Sequence, residues 1–206
     1  MSCVNPQNNT IMKLIHVSLF LFGATLFASC CLRGRNDQTI PLKEAIVNAL
    51  PYTDHQEVVF VSNTGDTIKT TVQDTQEFYP ENCAECYCES KLYELQTYTL
   101  TRSDNTALAY IISDAGWEPG TQIEVALDNS FFLLPLTEDG KFQCDTSGMF
   151  MTTCYDSLVI QNHSYQNVFQ LDISNVPDTA TFRIFYNADK GLLRMEQKDG
   201  RFWNVL

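Results

Sequence analysis

The chain has 206 residues, with 13 basic against 25 acidic side chains and a formal net charge of −12. A field of that sign opposes nucleic acid and anionic lipid head groups, so neither is expected against the protein surface itself. The length suits one domain with enough chain to bury a real core.

Residues 12–31 read MKLIHVSLFLFGATLFASCC. One basic residue, Lys13, precedes an apolar run over 14–28 that ends in small residues and a cysteine. The run is shorter than the roughly 20 residues a membrane helix needs, and its layout is that of a secretory signal. The ending Phe27-Ala28-Ser29-Cys30 resembles the lipobox of bacterial lipoproteins, with Phe27 where leucine is usual. That resemblance implies a signal peptide over 1–29, translation from Met12, and acylation of Cys30, palmitate included. Cys3 then carries no structural meaning. Loss of 1–29 removes one basic residue and no acidic one, which moves the net charge from −12 to −13. The membrane contact is therefore expected from acyl chains.

Residues 32–39 (LRGRNDQT) read as a polar tether. They lack the acidic cluster after the cysteine that sends similar lipoproteins to the cell surface, so the resemblance implies an outer membrane location facing the periplasm. Residues 41–50 (PLKEAIVNAL) suit a short helix, with Thr39 as cap, Pro41 in the first turn and Glu44 near the positive dipole end. Leu42, Ala45, Ile46, Ala49 and Leu50 share one helical face.

From Glu57 onward the pattern becomes period two with turn punctuation. Residues 57–62 and 67–72 flank Asn63-Thr64-Gly65-Asp66 and predict a hairpin. Residues 92–102 alternate, with a change of phase near Thr97 that suggests a bulge. Strands are predicted over 108–113, 122–127, 130–136, 156–160, 167–173, 181–186, 192–196 and 201–206. Pro119-Gly120 centres a type II turn, and Asp139-Gly140 and Asp199-Gly200 are hairpin signals. The prediction is a mainly β chain: a single antiparallel domain built as a sandwich, an open barrel or a strongly curved sheet, with at most one short N-terminal helix. The plan is signal peptide 1–29, lipidated cysteine with tether and helix 30–56, and β domain 57–206. The 13 Phe, 9 Tyr and 2 Trp are read as core filling.

The cysteines of an exported protein are read as disulfides first. Cys144 and Cys154 flank a loop and could staple two strand ends. Cys83, Cys86 and Cys88 offer one further pair or a cross-link to that region, and the odd thiol is free or pairs with Cys31. The cluster also suggests zinc, with Cys144, Cys154 or His163 as fourth ligand. A redox pair at Cys83 and Cys86 is opposed by Glu81, Glu85 and Glu89, which would raise a thiol pKa.

Residues 164–169 (SYQNVF), 186–193 (YNADKGLL) and 200–206 (GRFWNVL) resemble a C-terminal pattern of uncharacterised Bacteroidetes exported lipoproteins. The resemblance implies an envelope location and a β fold, and no activity. Gly191 falls where a strand restarts after a turn, and Trp203 lies in a closing strand.

His55 and His163 sit in no catalytic motif, and Glu124, Asp128, Glu138 and Asp139 show no paired spacing. No cofactor and no metal are expected. The function expected is a membrane-anchored envelope lipoprotein with a non-enzymatic binding or structural role. Its partners are the membrane, through the lipid, and a protein, carbohydrate or hydrophobic ligand. Two alternatives stand beside it: an envelope hydrolase using carboxylates, and a metal or redox module on the cysteine cluster.

Overall fold

A computed structural model describes residues 38–80, 91–114, 122–128, 130–137, 139–144, 151–174 and 176–206. The signal, Cys30, the tether up to residue 37, the Cys83, Cys86 and Cys88 cluster, the Pro119-Gly120 turn and Glu138 lie outside the described residues. Residues 39–80 and 92–206 form one compact unit, which is the one described below.

The unit is one curled antiparallel sheet, a half-barrel. Its strands are β2 (Glu57–Ser62), β3 (Thr67–Pro80), β4 (Lys91–Arg102), β5 (Ala107–Asp114), β6 (Gln122–Leu127), β7 (Ser130–Pro135), β8 (Met151–Ile160), β9 (His163–Asp172), β10 (Thr181–Asn187), β11 (Gly191–Gln197) and β12 (Phe202–Val205). They run in the order β7-β6-β5-β4-β3-β2-β12-β11-β10-β9-β8, and a short β1 (Gln38–Ile40) pairs with β4 off this path. Each half is a meander, as expected where short turns join sequential strands. The seam is β12 on β2, with Trp203 opposite Ser62 and Val205 opposite Phe60. Leu206 N–H donates to Val59 O at 2.9 Å, so the last residues are paired backbone, as the pattern of 201–206 predicts.

The main core lines the concave face. Phe60, Val72, Leu100, Ile111, Ile123, Leu134, Ile184 and Leu192 are almost fully removed from water there. A smaller cluster of Ile160, Val168, Phe185 and Leu193 forms around the β8–β9 hairpin. That hairpin turns at Gln161 and Asn162, both at positive φ (49° and 66°), the backbone of a tight two-residue turn.

The first helix is shorter than its pattern predicts. It is one turn, α1 (Glu44–Val47), with Lys43 at the cap position and no side-chain cap bond, while Thr39 lies in β1. The predicted face is nonetheless the buried one: Leu42, Ile46, Ala49 and Leu50 join the core. The helix does not extend backward because Lys43 is extended, at φ −65° and ψ 136°; Leu42 N–H is held by Glu94 Oε2 at 2.7 Å.

The bulge predicted near Thr97 is absent there. The β3–β4 register runs without a break from Thr70 opposite Arg102 to Pro80 opposite Leu92. Glu94, Gln96, Tyr98 and Leu100 all face inward, so the change of phase reflects two buried polar residues. Gln76 Nε2 donates to Glu94 Oε1 at 2.6 Å, and Gln96 Nε2 donates to Asp74 Oδ1. The irregularity sits instead between β4 and β5, at Leu100/Thr101, where Leu108 is the extra residue.

Across the open side, the segment after β7 turns back. Leu136 bridges Phe142, whose ring packs 4.9 Å from Phe169 and 5.6 Å from Tyr186. Cys144 then forms a disulfide with Cys154 of β8, with Cα atoms 5.9 Å apart. The bond ties the segment leaving one edge strand to the other edge strand, where no ladder joins them among the described residues.

Candidate functional site

Two register irregularities meet at one end of the half-barrel. The bulge in β5 lets both Leu108 and Ala109 point inward, at 7% and 0% exposure. In β10 the register shifts between Thr181 and Arg183, which sets Thr181 opposite Gln197 of β11. Bulges re-aim side chains in this way beside functional sites.

The result is a cleft of about 520 Å³. Ile68, Leu108, Leu127, Met195 and Trp203 form its apolar walls. Arg102, Asp128, Thr181, Gln197 and Arg201 supply polar groups. The mouth of a barrel and this size are both usual for a small-ligand site.

The polar groups differ in what already holds them. Arg201 is engaged by Asp199 through Nε at 2.8 Å and Nη2 at 2.7 Å. Asp199 is held below the usual carboxylate range by the Arg201 backbone N–H and by the guanidinium. Arg102 Nε and Gln197 Oε1, by contrast, are buried and have no hydrogen-bond partner among the described residues.

A second cleft of about 590 Å³ lies among α1, the 139–142 turn and β9. Ala45, Ala49, Phe142 and Phe169 line it. Its lysine, Lys141, is already paired with Asp139 at 2.7 Å, so it offers an apolar recess with a satisfied rim.

The histidines considered in the sequence fall elsewhere. His55 is a surface residue at positive φ (63°), 3.2 Å from Asp54, and His163 is exposed in the β8–β9 hairpin. Neither lines either of these two clefts. Of the carboxylates, Asp128 lines the first cleft and Asp139 the second. Glu124 lies in β6 between Ile112 and Leu133, and burial alone pushes its carboxyl up. The structure does not bring these carboxylates together as a pair. Among the described residues no group of three His, Cys, Asp or Glu could hold a metal ion.

A tyrosine group fills the core. Tyr52 and Tyr98 rings are 5.9 Å apart. Tyr186 is fully buried, and its hydroxyl has no partner among the described residues. Burial pushes all three phenols up, with Asp74 adding to Tyr98, and Tyr52 and Tyr98 adding to Tyr186.

Arg102 and Gln197 line the cleft, and sequence reasoning did not single them out. The available signal was phase: Arg102 follows Tyr98 and Leu100 at a spacing of two, so the inward face of β4 ends on a cation. No family model, curated protein or solved structure matches the chain.

Proposed function

We propose that the chain is a lipid-anchored protein of the bacterial cell envelope, and that its half-barrel binds a small ligand in the cleft at the strand ends. The observation that carries the binding half is the cleft of about 520 Å³ at the strand ends, with Ile68, Leu108, Leu127, Met195 and Trp203 as apolar walls and Arg102, Asp128, Thr181 and Gln197 among its polar lining. Support for the anchor comes from the residues: an apolar run with one leading basic residue, then Phe27-Ala28-Ser29-Cys30. An acidic body with net charge −12 suits attachment by acyl chains in place of surface charge.

Binding is favoured over hydrolysis because the cleft contributes a single carboxylate among the described residues, Asp128, where glycoside hydrolysis uses two. The anchor is tested by growing expressing cells with an alkyne-tagged palmitate. The tag should appear on the wild-type protein in the membrane fraction and vanish with Cys30→Ala. Equal labelling of both proteins, or none of either, contradicts the reading.

A further inference from the structure

We propose that the outward face of β5, β6 and β7 lies on the surface of the bilayer that holds the lipid anchor. This rests on the anchor half of the reading above and says which side of the fold meets the lipid. Successive side chains of a strand point to opposite faces of its sheet. Ala109, Ile111, Ile123, Val125, Phe132 and Leu134 belong to the core, so the residues between them face outward. Two outward rows cross the three strands: Tyr110–Ala126–Phe131 and Ile112–Glu124–Leu133. The outer side of an antiparallel sheet is ordinarily polar. Here Glu124 is the one charged residue of the six, and Tyr110 and Phe131 are 45% and 56% exposed. The outer face of β10 and β11 is covered by contrast, because Leu158, Ile160 and Tyr165 of the β8–β9 hairpin pack over Phe185 and Leu193.

Two observations select a bilayer as the occupant. The first is where the chain enters the sheet. β3 takes one edge of β4, and β5 takes the other edge from Leu95 to Thr101. β1 also pairs with β4, so it lies beside the start of β4, in line with β5. The chain arriving from Cys30 therefore joins the sheet next to the apolar face. Gln38 follows Cys30 by eight positions, a reach of about 28 Å at full extension. β7 lies two strand spacings from β5, about 10 Å, so the whole face is within that reach.

The second is charge. The chain as a whole carries −12, yet these rows hold Glu124 alone, and burial pushes its carboxyl up. Apolar and aromatic side chains of this kind settle at the head-group boundary. The lipid that fits is zwitterionic, because anionic head groups would repel the acidic remainder of the chain.

The test uses the full lipidated chain in phosphatidylcholine nanodiscs, made with and without lipid brominated near the top of its acyl chains. Phe131→Trp and Val159→Trp are compared, each after subtraction of the wild-type emission. Val159 is 65% exposed on β8 and serves as the reference position. Bromine should remove most of the emission added at position 131 and leave that at 159 unchanged. Tyr110→Asp in the Phe131→Trp protein should restore the emission at 131, since it sets a charge in the contact. If that double variant loses its cooperative thermal transition, the comparison of 131 with 159 decides alone.

Equal quenching at 131 and 159, or quenching at 131 that survives Tyr110→Asp in a folded protein, overturns the proposal. No quenching at 131 also overturns it, and two chains per disc by light scattering would then name a second copy as the occupant. Co-elution of the wild-type chain with the discs reports the anchor separately. A chain that does not co-elute removes the anchor reading and this face with it, whereas co-elution without quenching at 131 removes the face inference alone.

Discussion

The hydroxyl of Tyr52 accepts the backbone N–H of Leu192 at 2.6 Å, across 140 residues of chain. It does so by lying directly over Gly191, where an added Cβ would stand 2.1 Å from the Tyr52 oxygen. The segment after α1 is thus locked onto the start of β11 by a side chain that fits only above a glycine. Gly191 also has φ +77°, a conformation L side chains rarely adopt.

Gly191→Ala should therefore be far more damaging than alanine at Gly65 or Gly200. Gly65 and Gly200 share positive φ (91° and 89°), but nothing lies within 4 Å of their added Cβ. Alanine at either should cost about 1–2 kcal/mol, the backbone strain alone. At Gly191 the displaced Tyr52 adds a buried clash and a lost hydrogen bond, for a total of about 4 kcal/mol or more. Urea unfolding of the three variants compares them directly. Equal midpoints would mean that Tyr52 moves aside at no cost.

The same tyrosine sets an alkaline limit. Tyr52 and Tyr186 are fully buried and their phenols are pushed above 10 in the folded protein. Above pH 10 the unfolded chain has released these protons and the folded chain has not. Stability is then fully present below pH 10 and falls as pH rises, by about 1.4 kcal/mol per pH unit for each phenol. Absorbance at 295 nm should show a late tyrosinate step that coincides with loss of the folded circular dichroism signal. Tyr52→Phe should make the slope shallower. A wild-type slope equal to that of Tyr52→Phe contradicts the account.

Glu94 works as a clasp. Its two carboxylate oxygens accept Leu42 N–H and the Gln76 amide at 2.7 and 2.6 Å. Glu94→Gln leaves one of those donors without an acceptor and should cost about 1–3 kcal/mol. Hydrogen exchange at Leu42 should rise more than exchange at Leu100 near the end of β4. Uniform acceleration across the sheet would place the effect elsewhere.

The outline of the fold was legible, because period-two alternation and glycine turns are local signals. The hairpins around Gly65 and Gly200 and most strand positions follow from them, although β3 continues past the expected 67–72 to Pro80 and β8 begins at Met151, before the expected 156–160. What local patterns hid was tertiary. Glu94 and Gln96 are polar residues on a buried face, so they imitate a change of phase that the register does not contain. α1 looked longer because its apolar face is real, although the extended backbone at Lys43 holds its start to Glu44. The cleft was illegible for a similar reason: Arg102 and Gln197 are far apart in sequence and meet only when β12 zips onto β2.

The Cys144–Cys154 bond closes a short loop between the two edges of the sheet. The chain-entropy model gives such a loop about 3 kcal/mol. Replacing both cysteines with serine should lower stability by about that amount and leave the β spectrum intact at 25 °C. An unchanged denaturation midpoint would show that the packing of Phe142 alone holds the edges together.

The proposed ligand site is the strand-end cleft. Thr179 is exposed on the rim of that cleft, so Thr179→Trp places an indole across the mouth without entering the core. The decisive measurement is native mass spectrometry of wild-type and Thr179→Trp protein, each dialysed to equilibrium against a small-molecule extract of the expressing cells. The account predicts a bound mass on the wild type that is lost from the variant at matched thermal stability. The same bound mass on both proteins, or none on the wild type, would contradict it.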